Sequence, residues 1–208
     1  MRLFNAILLF AFLSDLNYIS YPQTKKNYTS TDSVIKIGNT TKVIKIPKKI
    51  LSGLVEVDIR YWGYDSKIHE GKIIMNRRVA EEAKIIFLEL LNIKFPIESI
   101  KPVSYFNWDD DSSMYYNNTS GFNYRKTSNG KSLSKHAFGF AIDINPRENY
   151  CKRNNRISPV NGTYDSKVKG TILRNSAVLK IFVKYGWTWG GNWRSLKDYQ
   201  HFEKKSIN

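Results

Sequence analysis

Ser134-Lys135-His136-Ala137-Phe138-Gly139-Phe140-Ala141-Ile142-Asp143 is the stretch on which the reading of this chain turns. Its second half, continued by Ile144, has the apolar character of a short strand, and Gly139 gives the chain freedom to turn just before it. Strands disfavour Asp, and a carboxylate between apolar neighbours needs a partner; a cation is the simplest one. Only three histidines occur in the 208 residues. One is His136. A second, His201, sits in another polar cluster, Asp198-Tyr199-Gln200-His201-Phe202-Glu203. The third, His69 in Ser66-Lys67-Ile68-His69-Glu70-Gly71, has no such setting and reads as a loop residue.

Taken singly, a His is more often a surface or satisfied core residue than a ligand. The combination carries the reading. Catalytic zinc takes three protein ligands and keeps a fourth position for water. His136, Asp143 and His201 would supply two imidazoles and a carboxylate to one Zn2+ per chain, and Asp198 would be left to work on the water. Bound zinc brings that water to a pKa of about 7, and a nearby carboxylate can take its proton as it attacks a carbonyl. The inventory is that of a hydrolase.

The surrounding sequence predicts a helix over 76–91, with Asn76 as cap, Val79, Ala83, Ile86, Phe87 and Leu90 at helical spacing, and Glu81 and Glu82 early. A second helix is expected over 175–185, with Val178, Ile181, Phe182 and Tyr185 inward and Gly186 as stop. Short apolar runs over 100–106, 140–144 and 200–203 read as strands. Without βαβ alternation, this order implies an α+β fold: a single domain with a central antiparallel sheet, flanked by helices, that carries the ligands. His201 would arrive from a strand beside that of Asp143.

Two motifs, S-x-H-x-x-G-x-A-x-D from Ser134 to Asp143 and D-x-x-H-F-E from Asp198 to Glu203, resemble the zinc D-alanyl-D-alanine carboxypeptidase family. That family includes VanY-like enzymes and phage L-alanyl-D-glutamate endolysins, and its fold is shared with the hedgehog signalling domain. Tyr61-Trp62-Gly63-Tyr64, Phe95-Pro96-Ile97, Asn145-Pro146 and Gly186-Trp187-Thr188-Trp189-Gly190-Gly191 extend the resemblance from about Val57 to Glu203. It implies that His136, Asp143 and His201 hold zinc and that Asp198 is the base. Arg125 looks like the family arginine upstream of the serine motif, where a fixed cation stabilises the oxyanion. Ser134 looks like the motif serine, in contact with substrate or supporting the ligands. The implied substrate is a peptidoglycan stem peptide cut next to a D-amino acid. The carboxypeptidase branch usually places Glu where this chain has Asp198, whereas D-x-x-H-F-E is similar to the endolysin branch, which tilts the expectation toward cleavage inside the stem peptide. Both the L-Ala-D-Glu and D-Ala-D-Ala bonds stay open.

Trp189 and Trp193, close to Asp198 in sequence, are expected to wall a substrate cleft. Asp109-Asp110-Asp111 lacks the spaced ligands of a calcium loop and reads as an exposed acidic turn. Cys151 is the sole cysteine, which excludes an internal disulfide and a C-x-x-C metal site; it reads as a loop thiol.

At the N-terminus, Arg2 precedes a short apolar run through Leu13, the pattern of a signal peptide over 1–19, although no A-x-A site follows and a retained anchor stays open. Residues 20–50 form a basic polar arm or linker, part of which fits an edge strand, and 51–208 the zinc peptidase domain. The formal net charge of +15 suits anionic cell-wall polymers as well as nucleic acid. No nucleic-acid-binding motif appears, and an export signal argues against that compartment, so an exported monomer in the periplasm, cell wall or extracellular space is expected. The competing class is a noncatalytic wall-binding or signalling module that retains the fold; the presence of Asp198 beside all three ligands favours the enzyme.

Overall fold

A computed structural model describes residues 33–37, 40–127 and 130–205. The leader expected over 1–19 lies outside the described residues. Within the segment read as an arm, β1 (Ser33–Ile37) and β2 (Thr40–Ile44) pair as an antiparallel hairpin. A single helical turn, α1 (Lys48–Leu51), leads into the body of the protein.

The longest strands form a hairpin that the sequence reading did not anticipate. Strand β3 (Leu54–Trp62) pairs in antiparallel register with β4 (Ile68–Asn76). Strict alternation explains β3: Val55, Val57, Ile59 and Tyr61 are buried, while Glu56, Asp58 and Arg60 turn away. On the outer face Lys72 of β4 reaches Glu56 at 2.7 Å and Asp58 at 2.8 Å. His69, expected in a loop, belongs to β4. It stacks on Tyr61 and meets Asp65 at 2.9 Å, which satisfies it locally.

Helix α2 (Ala80–Asn92) packs across β3 through Ala83, Ile86, Phe87 and Leu90. It begins four residues later than the periodicity predicts. Asn76 is the last residue of β4, and its Oδ1 accepts the Arg78 N–H at 3.1 Å, so it caps a turn rather than the helix. The strand expected over 100–106 is also corrected. Only β5 (Ser99–Ile100) is extended; Pro102 has no N–H to offer a ladder, and Val103–Phe106 wind into a 3-10 turn.

The acidic triplet is likewise no simple turn. Asp109 caps α3 (Asp110–Tyr115) by accepting the Ser112 N–H at 2.9 Å. Strand β6 (Asn118–Thr119) then pairs with β5 in parallel.

Further along the chain are β7 (Ala141–Asp143), β8 (Cys151–Arg153), β9 (Arg156–Ser158), α4 (Ala177–Lys184), β10 (Trp187–Trp189), β11 (Lys197–Asp198) and β12 (His201–Lys204). Helix α4, capped by Ser176, buries Val178, Leu179, Ile181 and Phe182 beside α2. Two antiparallel sheets of three strands, β10-β12-β7 and β11-β8-β9, complete the α+β architecture. The core lies between the first of these sheets, the β3–β4 hairpin, α2 and α4. Among the described residues no helix is long and apolar enough to cross a membrane.

Phe202 of β12 is fully buried and stacks on Phe182 of α4 with ring centroids 3.8 Å apart. Phe202→Ala should lower the unfolding free energy by about 3–5 kcal/mol in urea titration. Val160→Ala, at a side chain 83% exposed, should change it by less than about 0.5 kcal/mol.

Candidate metal centre

The β7–β12 register sets His201 directly opposite Asp143. Side chains alternate along strands, so the neighbouring pair, Phe202 opposite Ile142, points to the other face and is fully buried in the core. His136 enters from the 3-10 turn Lys135–Phe138, which Ser134 caps by accepting the His136 N–H at 3.3 Å. Gly139 then adopts a left-handed conformation, φ 71°, and swings the chain into β7. A side chain there would strike the Asn76 backbone nitrogen at 2.5 Å, so the turn fits tightly against the end of β4.

The three side chains converge in a buried group. His136 Nε2 lies 3.1 Å from Asp143 Oδ2 and 3.1 Å from His201 Nδ1, and His201 Nδ1 lies 2.9 Å from Asp143 Oδ1. Metal–donor bonds of 2.0–2.1 Å in a tetrahedron put donors about 3.3 Å apart. The group therefore fits one divalent ion with only small expansion.

The other ring nitrogens determine which atoms face the centre. His136 Nδ1 donates to the Gly121 carbonyl oxygen at 2.5 Å, which leaves the Nε2 lone pair inward. His201 Nε2 donates to Glu203 Oε2 at 3.1 Å, which leaves Nδ1 inward. Such outer partners hold a ligand's tautomer and ring orientation. Glu203 was missed as a functional residue, although its place two positions after His201 in a strand puts both on one face.

Without a metal ion this group holds its own charges. Burial pushes the Asp143 carboxyl up, but His136 and His201 outweigh it and hold it well below the usual carboxylate range. Burial disfavours the charged His201 ring, yet its bonds to Asp143 and Glu203 raise it to about 10.

Asp198 approaches from β11, and Gly190 makes that approach possible: a side chain at Gly190 would meet the Asp198 carbonyl oxygen at 2.6 Å and His201 Cβ at 3.3 Å. Burial pushes the Asp198 carboxyl up to about 6, against the pull of His201. Its Oδ1 is fully buried and has no hydrogen-bond partner among the described residues. An orphaned carboxylate oxygen beside a donor triangle is what a polar guest would satisfy. Cys151, expected in a loop, instead stands opposite Asp198 in the β8–β11 register. Burial, Asp198 and Asp143 all push its thiol up, so it remains protonated and unsuited to ligation or attack.

Of the remaining candidates, Arg125 is half-buried and pairs with Asp110, Nε to Oδ2 at 2.9 Å. Its backbone carbonyl accepts the Ser134 N–H at 3.0 Å, which ties it to the turn that carries His136. The Trp193 ring lies 5.2 Å from the His201 ring and is half-buried. Trp189, expected on a cleft wall, is corrected: it is 3% exposed within the core, with its indole N–H given to the Tyr199 carbonyl at 2.8 Å. Burial of both ring and donor leaves nothing for a substrate to touch.

Coordination needs neutral imidazole, so a dication must displace the His201 proton near pH 7. Calorimetry in buffers of different ionisation enthalpy should record about one proton released per ion bound, with affinity rising about tenfold per pH unit between pH 6 and 8. Glu203→Gln should weaken metal affinity by about 10- to 100-fold.

Residues 127–204 match the family model described as D-alanyl-D-alanine carboxypeptidase. No curated protein and no solved structure matches the chain. The matched segment contains Ser134, His136, Asp143, Asp198, His201 and Glu203, so the whole donor group and the carboxylate beside it fall inside it. The part of the chain that builds this centre is thus similar to the D-alanyl-D-alanine carboxypeptidase family.

Proposed function

We propose that the protein is a zinc-dependent peptidase that hydrolyses peptide bonds next to D-amino acids in peptidoglycan stem peptides. The observation that carries this reading is the buried convergence of His136, Asp143 and His201 beside an unsatisfied Asp198 oxygen, within a segment of peptidase family. His136 through Nε2, His201 through Nδ1 and Asp143 through its carboxylate would hold zinc, which when bound supplies Lewis acidity toward a carbonyl and lowers the pKa of water.

The chain's own residues do the rest. Asp198 takes the proton of the attacking water at its buried carboxylate and passes it to the leaving amine, a cycle that suits a group held above the ordinary carboxylate range. Arg125, a permanent cation, stabilises the oxyanion of the tetrahedral intermediate with donors that Asp110 does not occupy. Trp193 walls one side of the centre and restricts water. Ser134, buried, holds the His136 backbone and so supports the donor group.

The family match supports a D-alanyl-D-alanine carboxypeptidase-like activity, and Asp in place of Glu at 198 favours the L-Ala-D-Glu bond over the D-Ala-D-Ala bond. Export to the cell wall agrees with that substrate, and the net charge of +15 would concentrate the enzyme on anionic wall polymers. A monomer suffices, because one chain supplies the entire donor group.

Digestion of purified sacculi, with fragments identified by mass spectrometry, tests the reading. The wild type should release stem-peptide fragments whose new termini name the scissile bond, and chelation should stop release until Zn2+ is restored. Asp198→Ala should keep its metal yet lose at least about 100-fold in rate. Equal release by wild type and Asp198→Ala would defeat the catalytic assignment.

A further inference from the structure

Arg125 does not stand alone. Its Nε lies 2.9 Å from Asp110 Oδ2, and the other oxygen, Asp110 Oδ1, accepts the Asn123 side-chain amide at 2.8 Å. Asn123 is 3% exposed, and its backbone N–H donates to the His136 carbonyl at 3.1 Å. Asp110 is the first residue of α3, whose start is fixed by the Asp109 cap. A carboxylate anchored at a helix start and by a buried amide thus lies against the guanidinium as a close ion pair, while the buried Nε–H itself has no aligned acceptor among the described residues.

A guanidinium has five N–H donors in a rigid fork. Asp110 holds the Nε corner by charge rather than by an aligned hydrogen bond, and the Lys126 carbonyl takes a long 3.4 Å contact with Nη1, which leaves further amino donors for substrate. An arginine side chain otherwise has considerable rotamer entropy to lose, and a swinging cation stabilises an oxyanion poorly. Asp143 and Asp198 also act on Arg125 by charge, so the carboxylate fixed 2.9 Å from its Nε competes with their pull.

Resting on the proposed peptidase reading, we propose that Asp110 is the positioning residue for Arg125: it holds the guanidinium at the edge of the metal centre, aimed at the substrate carbonyl and away from Asp143 and Asp198. Asp110 touches neither substrate nor metal. It acts through Arg125 alone.

The test is a double-mutant cycle of Asp110→Asn and Arg125→Ala, read as kcat and KM on a stem-peptide substrate, with 15N NMR of the Arg125 Nε–H alongside. Asp110→Asn keeps the shape and an oxygen for Asn123 but removes the charge. It should lower kcat by about 10- to 100-fold with KM little changed and metal content intact. In the Arg125→Ala background it should cost nothing further. The Arg125 Nε–H resonance should shift in Asp110→Asn, because the carboxylate charge 2.9 Å away is removed. Equal losses in both backgrounds, or an unchanged kcat, would overturn the assignment. An inactive wild type would instead sink the peptidase reading, and the Nε–H resonance then decides the tether by itself: unchanged in Asp110→Asn, it refutes it.

Discussion

The pairing of β7 with β12 is the constraint from which the centre follows. Because His201 faces Asp143 across two adjacent strands, imidazole and carboxylate share one face, while Ile142 and Phe202 share the other. Period-two alternation makes this arrangement all or nothing: a slip of one residue would send the ligands into the core and the core residues into the site. Stacking of Phe202 on Phe182 and full burial of Ile142 oppose such a slip. Hydrophobic packing on one face therefore secures polar geometry on the other. His136 completes the group from the opposite edge of β7, where Gly139 lets the chain reverse close to its ligand neighbour.

Charge is managed around this core by partners that are themselves fixed. Three ionisable groups in a buried space cannot be left uncompensated, and here each has a counterpart: Gly121 for His136, Glu203 for His201, both imidazoles for Asp143. These contacts present two nitrogens and a carboxylate to one point, a preorganisation a metal ion can exploit without rebuilding the site. Asp198 Oδ1 is buried without a hydrogen-bond partner among the described residues, as are Arg125 Nε and Gln200 Oε1. Strain of this kind in a native structure marks a place where a ligand does the satisfying. The Asp110–Arg125 pair extends the same logic outward, where an acid on α3 compensates a half-buried cation.

Sequence and structure agree most where a pattern is long or chemically dense. Periodicity found α4 to within two residues at either end, and Ser176 and Gly186 mark its limits. Periodicity also found α2 but not its start, because Asn76 serves the end of a strand and a turn instead of a helix cap. The run over 100–106 was apolar enough for a strand, yet short apolar runs do not distinguish strand from turn, and Pro102 decided the matter. The β3–β4 hairpin was legible in the alternation of Val55, Val57, Ile59 and Tyr61 with Glu56, Asp58 and Arg60, a signal as plain as either helix.

By itself, the sequence determined the chemical inventory: which residues can ligate, which carboxylate can act as base, and that the elements form an α+β fold. Those depend on residue type and on short-range spacing, which a linear text preserves. Tertiary structure decided the rest: that His201 turns Nδ1 and His136 turns Nε2 toward the shared centre, that Trp189 is core while Trp193 borders the centre, that Cys151 faces Asp198, and that an apparent acidic turn holds the arginine's partner. Apart from the His201–Glu203 bond, which joins neighbours on one face of a strand, each of these is a contact between residues separated along the chain. Such contacts are fixed by strand register and core packing, which act through three-dimensional distance and leave no mark in local spacing.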